Sequence, residues 1–180
     1  MKSNIVVYRR LFLSAIALSV SIFAFITTAS AEDKTFSKFV YDSNTVIHYR
    51  FPTHSNDLVI DRSEAATSEV FIVVLEPGEA PPLHKHDDTE QIFYLLEGTG
   101  VLTIGETGKT FPVRPGDVVR VPPTVFHKIE ATGGKRVRYL AVDCFMGGRP
   151  QAEPTWDAHV RVLCEEQGWD YNQVVGKKGK

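Results

Sequence analysis

Three histidines carry the chemistry most legible in this chain. His84 and His86 stand two apart within LHKHDDTEQIFYLLEG (Leu83 to Gly98), and His127 follows the turn Val121-Pro122-Pro123-Thr124. Residues two apart in an extended chain project to the same face, so His84 and His86 lie side by side. Pro81-Pro82, just before them, stiffens the approach. Two neutral imidazoles so placed form a chelate for a divalent first-row metal. An H-x-H pair alone is equally at home on a solvated surface beside Lys85 and Asp87. A third histidine opening another strand of a small barrel tips the balance, because alternate side chains of barrel strands share one interior. Glu90 and Gln91 come next. Neighbours in a strand face opposite ways, so at most one of them joins the histidines.

These residues need rigid elements behind them. From Phe39 onward the chain reads as short strands separated by Gly/Pro turns. Thr45–Phe51, Glu69–Leu75, Gln91–Leu96, Val101–Ile104, Lys109–Val113, Val118–Val121, His127–Glu130 and Arg136–Phe145 are rich in β-branched and aromatic residues. Evenly spaced strands of this length predict an all-β sandwich or barrel. One segment differs. Thr155–Gln167 sets Trp156, Val160, Leu163 and Cys164 on one helical face, with Thr155 before it and Gly168 after it as caps. The expected place for this helix is the outside of the β core. Glu69–Leu75 and Gln91–Leu96 are apolar on both faces, so each needs cover on both sides. The terminal segments or a second subunit must supply the outer cover, and a homodimer is the expectation.

The N-terminus has another logic. Lys2, Arg9 and Arg10 precede an apolar run from Leu11 to about Ile26, and Ala29-Ser30-Ala31 offers a small-residue cleavage site. That order predicts a secretory signal peptide over 1–31. A membrane anchor is the alternative, but Ser14, Ser19, Ser21 and Thr27 interrupt the run and no basic cluster follows Ala31. The expectation is a periplasmic or secreted protein with no membrane attachment after cleavage. It divides into N-terminal strands over 32–66, a barrel over 67–146, and a helical extension and tail over 147–180. With a formal net charge of -2 and all three signal-region charges positive, the remainder is acidic and lacks a nucleic-acid footprint. Cys144 and Cys164 permit one disulfide in an oxidising compartment, or two separate thiols.

The motif spacing resembles the cupin family. That family's first motif is a glycine, five residues, H-x-H, three or four residues, a glutamate, six residues and a glycine. Gly78, His84, His86 and Gly98 fit it, and counting back from Gly98 places the ligand position at Gln91. Its second motif is matched by Gly116, Pro122 and His127, with Thr124 and Ala131 where the family has glycine and asparagine. The resemblance covers about Thr67 to Phe145. It implies a jelly-roll double-stranded β-helix and a metal held by His84, His86, Gln91 and His127. Iron, manganese, nickel and zinc all tolerate that set.

Gln91 in the carboxylate's place changes the expected chemistry. A neutral carbonyl leaves a divalent ion its full charge, favouring Lewis-acid action over base catalysis by a bound carboxylate. In the family, glutamine here occurs in some cupins acting on uronate sugars. Glu90 and Tyr94 are the nearest catalytic candidates, although packing accounts for both. Phe71, Phe93 and Phe126 are candidates for an apolar wall, and Tyr94, Arg120, Tyr139 and Asp143 for polar groups if they face inward. His48 and His159 lie outside both motifs and read as ordinary polar residues. The expected function is an exported metal-dependent enzyme of isomerase, lyase or dioxygenase type acting on a small oxygen-rich ligand. The alternative is a non-catalytic metal- or sugar-binding module.

Overall fold

Among the described residues nine strands come first and the two α-helices last. The computed structural model describes residues 39–175; the signal segment over 1–31 lies outside the described residues. The strands are β1 (Ile47–Arg50), β2 (Ser55–Ile60), β3 (Ser68–Leu75), β4 (Thr89–Glu97), β5 (Gly100–Ile104), β6 (Lys109–Val113), β7 (Val118–Val121), β8 (His127–Ala131) and β9 (Val137–Phe145). They are followed by α1 (Trp156–Gln167) and α2 (Tyr171–Val174). Six strands form one sheet in the order β1-β2-β3-β9-β4-β7, and three form the other as β6-β5-β8. Every named pairing is antiparallel. This is the expected jelly roll.

The central pair of the large sheet shows why alternation matters. Along β9, residues from Val137 to Phe145 alternate strictly between buried and half-buried. On β4, Gln91, Phe93 and Leu95 are buried, whereas Tyr94 and Leu96 are exposed. Register then follows from which set fills the interior. One glycine fixes the turn after β4. Gly98 ends β4 with φ at +75°, and a Cβ there would sit 2.1 Å from the Arg136 carbonyl oxygen. No side chain fits at that approach.

Strand β2 is not among the strands expected from sequence. Ser55, Asn56 and Asp57 are turn formers by composition. Pairing with β1 on one side and β3 on the other makes them a strand.

Helix α1 forms where expected but packs elsewhere. Thr155 Oγ1 accepts from the Ala158 N–H at 3.1 Å, and Gly168 ends the helix in the left-handed region while the Trp169 N–H donates to the Cys164 carbonyl at 2.8 Å. The carboxylate of Asp61 accepts from the Trp156 N–H at 3.1 Å, tying the helix start to the β2–β3 connection. Trp156, Val160 and Cys164 are buried in the same apolar core as Phe71 and Tyr139. The helix therefore seals the mouth of the β layers instead of lying on their outer surface. Both cysteines are free thiols: Cys164 sits under α1 and Cys144 on the outward face of β9.

Candidate metal centre

The barrel interior brings three histidines within reach of one point. The ligating nitrogens of His84, His86 and His127 lie within 4.8 Å of one another. Ring centroids are 4.4 Å apart for His84 and His127, 5.1 Å for His84 and His86, and 5.8 Å for His86 and His127. Backbone pairing locks two of them: the His127 N–H donates to the His84 carbonyl at 2.8 Å, and the reverse bond is 3.2 Å. The His86 carbonyl accepts from the Thr124 N–H at 2.6 Å. Thr124 is the family's glycine position, and it adopts φ of +68°. A β-branched residue in that region is strained by roughly 1–3 kcal/mol.

Two of the rings are oriented from behind. His84 Nδ1 meets the Pro82 carbonyl at 2.8 Å, and His127 Nδ1 meets the Val125 carbonyl at 3.0 Å. A carbonyl only accepts, so Nδ1 carries the proton and the Nε2 lone pair is left for the interior. Burial, followed by the neighbouring histidine charges, lowers the pKa of His86 to about 3 and that of His127 to about 4. Burial also lowers His84. All three rings are therefore neutral near pH 7, the form that binds metal.

Gln91 faces the same interior from β4. Its Nε2 donates to Asp143 Oδ1 at 2.8 Å, which aims the amide oxygen away from Asp143. That oxygen, with His86 Nε2 and His127 Nε2, is buried without a hydrogen-bond partner. Unpartnered buried acceptors are costly, and three beside one another fit a cation that would satisfy them all. The residues present thus suit a divalent metal bound by three imidazoles and one neutral carbonyl.

Asp143 belongs to a buried charge group. Arg62 grips Glu69 with two bonds of 2.7 Å, from Nε and Nη2, and both side chains are almost fully buried. Burial and the nearby Glu69 carboxylate hold the Asp143 carboxyl well above the usual range. One guanidinium serves both carboxylates, so the Asp143 carboxyl holds a proton more readily than an ordinary aspartate.

The remaining candidates separate cleanly. Tyr139 and Asp143 face the cavity, as do Phe71 and Phe93. Tyr94 is exposed on the outer face, and Glu90 pairs with Arg120 there. Glu90 and Tyr94 therefore lie away from the cavity as catalytic candidates. Phe126 packs under the Lys85 ammonium, 5.5 Å from its ring centroid. His48 binds Asp57 at 2.6 Å on the exposed face of β1 and β2. His159 is a correction: it lines the cavity, as do His54, Asn56 and Trp156. No motif marks these four.

The cavity holds about 200 Å³. That is below the roughly 300–1,000 Å³ of pockets taking drug-sized molecules, so its ligand is small.

Comparison with known proteins agrees with this geometry. The model of the cupin domain matches residues 71–143. An oxalate-binding protein of Thermotoga maritima is 40% identical over 68 residues, which are 38% of this chain and 54% of that protein. The chain spans about half the length of the curated relatives it matches first, at 52% and 54%. The crystal structure of a predicted oxalate decarboxylase from Thermotoga maritima aligns with a TM-score of 0.54 and 26% identity, covering 59% of this chain and 99% of that one. The polyketide cyclase RemF from Streptomyces resistomycificus aligns at 0.53 and 25% identity, covering 63% and 82%. The family model, these folds and the histidine spacing agree: the chain belongs to the cupin superfamily.

Proposed function

We propose that this protein is an exported metal-dependent enzyme that binds a small oxygen-rich ligand at a His84/His86/Gln91/His127 centre. One observation carries the reading: unpartnered acceptor atoms of His86, His127 and Gln91 meet in one small interior cavity. When bound, a divalent ion supplies Lewis-acid polarisation of a ligand oxygen. The chain's own groups do the rest. The Pro82 and Val125 carbonyls orient two imidazoles, Asp143 orients the Gln91 amide, and Phe71 and Phe93 wall the cavity against bulk water. Two relatives, an oxalate-binding protein and a predicted oxalate decarboxylase, support a small oxyacid as the ligand class.

A binding module without catalysis is the second reading, favoured by the name of the 40% identical relative. Metal analysis of purified protein, followed by His86→Ala, tests the centre. Wild type should carry close to one divalent ion per chain and the variant almost none. A wild-type protein that takes up no metal ends the proposal. Turnover in a screen of small oxyacids, uronates and keto acids separates enzyme from binder.

Two further expectations belong here. The basic–apolar–small order over 1–31 supports export, testable by cell fractionation and N-terminal sequencing. Tyr94, Leu96 and Val118 present exposed apolar surface on neighbouring β4 and β7, where Tyr94 pairs with Val118. A second copy of the chain is the occupant proposed for that face. Sedimentation should show a dimer that Tyr94→Lys weakens; a monomeric wild type would remove the idea.

A further inference from the structure

The cavity has a second polar half that the metal centre does not use. It is built by β2 and α1, both outside the matched residues 71–143. Asn56 on β2 and Trp156 on α1 line the cavity, are 5% and 2% exposed, and hold Oδ1 and Nε1 respectively without a partner. Fully buried polar atoms of this kind need a complement that the fold itself does not provide.

His159 stands beside them. It lies one helical turn beyond Trp156, and the two rings pack with centroids 5.5 Å apart. Its Nδ1 lies 2.6 Å from Glu153 Oε2, and that oxygen also takes Arg62 Nη1 at 3.4 Å. A carboxylate accepts only, so the Nδ1 proton is pinned to Glu153 and Nε2 is the nitrogen left for a ligand. Glu153 stays ionised to do this, because the His159 hydrogen bond lowers its pKa. His159 lines the same cavity as His84 and His86.

The two unpartnered groups differ in sense: Trp156 Nε1 can only donate and Asn56 Oδ1 can only accept. A second carboxylate on the ligand would accept alone, leaving Asn56 Oδ1 unmatched. Hydroxyls both donate and accept, and so satisfy the set.

We propose that His159, held by Glu153, is a specificity-determining residue that recognises a hydroxyl at the outer end of a small hydroxy acid, with Trp156 and Asn56 completing that subsite. The inference rests on the metal-centre reading, because the inner oxygens of the acid occupy the His84/His86/Gln91/His127 centre. It distinguishes this chain from a receptor for a bare dicarboxylate such as oxalate.

Two probes isolate the outer hydroxyl. Glycolate and glycerate share an α-hydroxy acid end, and only glycerate carries a further hydroxyl. Both are titrated into cobalt(II)-loaded wild-type, His159→Phe and Glu153→Gln proteins, following the visible absorption of the cobalt. Wild type should prefer glycerate by about tenfold, as one added hydrogen bond allows. His159→Phe should erase the preference at unchanged cobalt content, and Glu153→Gln should reduce it. A preference that survives His159→Phe, or none in wild type, overturns the inference alone. If neither acid perturbs loaded wild type, the oxygen-rich ligand reading falls with it. If wild type takes up no cobalt, the metal reading fails first. Thermal melting of each variant verifies folding, and Glu153→Gln keeps the side-chain volume should His159→Phe unfold.

Discussion

The two halves of the cavity are built by different means. In the strand half, His84 and His127 are fixed by backbone bonds to each other and by carbonyls behind their rings. In the helical half, Trp156 and His159 depend on side chains: Asp61 at the helix start, Glu153 behind the imidazole, and Phe71 against the indole at 4.8 Å. A sheet ladder holds its groups with little dependence on neighbouring side-chain identity. A docked helix holds them only as well as its contacts. The strand half lies within the residues that the cupin-domain model matches, and the helical half lies outside them.

The largest expected effect breaks the helical half alone. Trp156 is 2% exposed and contacts Tyr49, Phe71 and His159. Trp156→Ala should cost about 3–5 kcal/mol in chemical denaturation. Metal affinity of the folded fraction should stay near wild type. A parallel loss of metal would show that the halves are not separable.

The strand half answers to Asp143. Asp143→Ala removes the group that aims Gln91, and metal affinity should fall about 10–100-fold, measured by competition with a chelator. Gln91→Ala should weaken metal at least as much, and Glu90→Ala hardly at all, because Glu90 pairs with Arg120 outside. The reverse order would place the fourth ligand on the wrong side of β4.

Acid should act on both walls of the strand layer. Burial lowers His54 and His86 to about 3 and His127 to about 4, so the fold excludes protons that the unfolded chain binds below its ordinary value of 6.5. Stability of metal-free protein is then fully present above pH 6.5 and falls as pH drops toward 4. Asp143, whose pKa burial raises, opposes this, but three imidazoles outnumber one carboxyl. Melting temperatures that stay flat from pH 7 to 4.5 would contradict the buried neutral rings.

The smallest effect sharpens the turn behind His86. Thr124→Gly relieves a left-handed β-branched residue and should stabilise the protein by about 1 kcal/mol. An unchanged or lower stability would mean that the Thr124 side chain repays its strain.

Much of the strand half is legible in residues alone. Gly98 ends β4 where no Cβ fits, so counting back from it identifies Gln91 as the inward residue, and burial of Gln91 with Phe93 and Leu95 agrees. Motif spacing works here because strand periodicity and tight turns are local. β2 was hidden by turn-forming residues that only pairing on both sides makes extended. His159 was hidden for a stronger reason: nothing near it in sequence says where its helix docks.

By itself, the order of residues determined the all-β strand pattern, the inward histidines and the existence of α1, since alternation, turn geometry and capping act over a few residues. Tertiary structure alone decided that α1 closes the cavity, that Glu153 turns His159 toward the ligand space, and that Arg62, 7 residues from Glu69 and 91 from Glu153, joins both. Those contacts depend on where whole elements meet, which is set by the summed packing of a core and by no single stretch of chain.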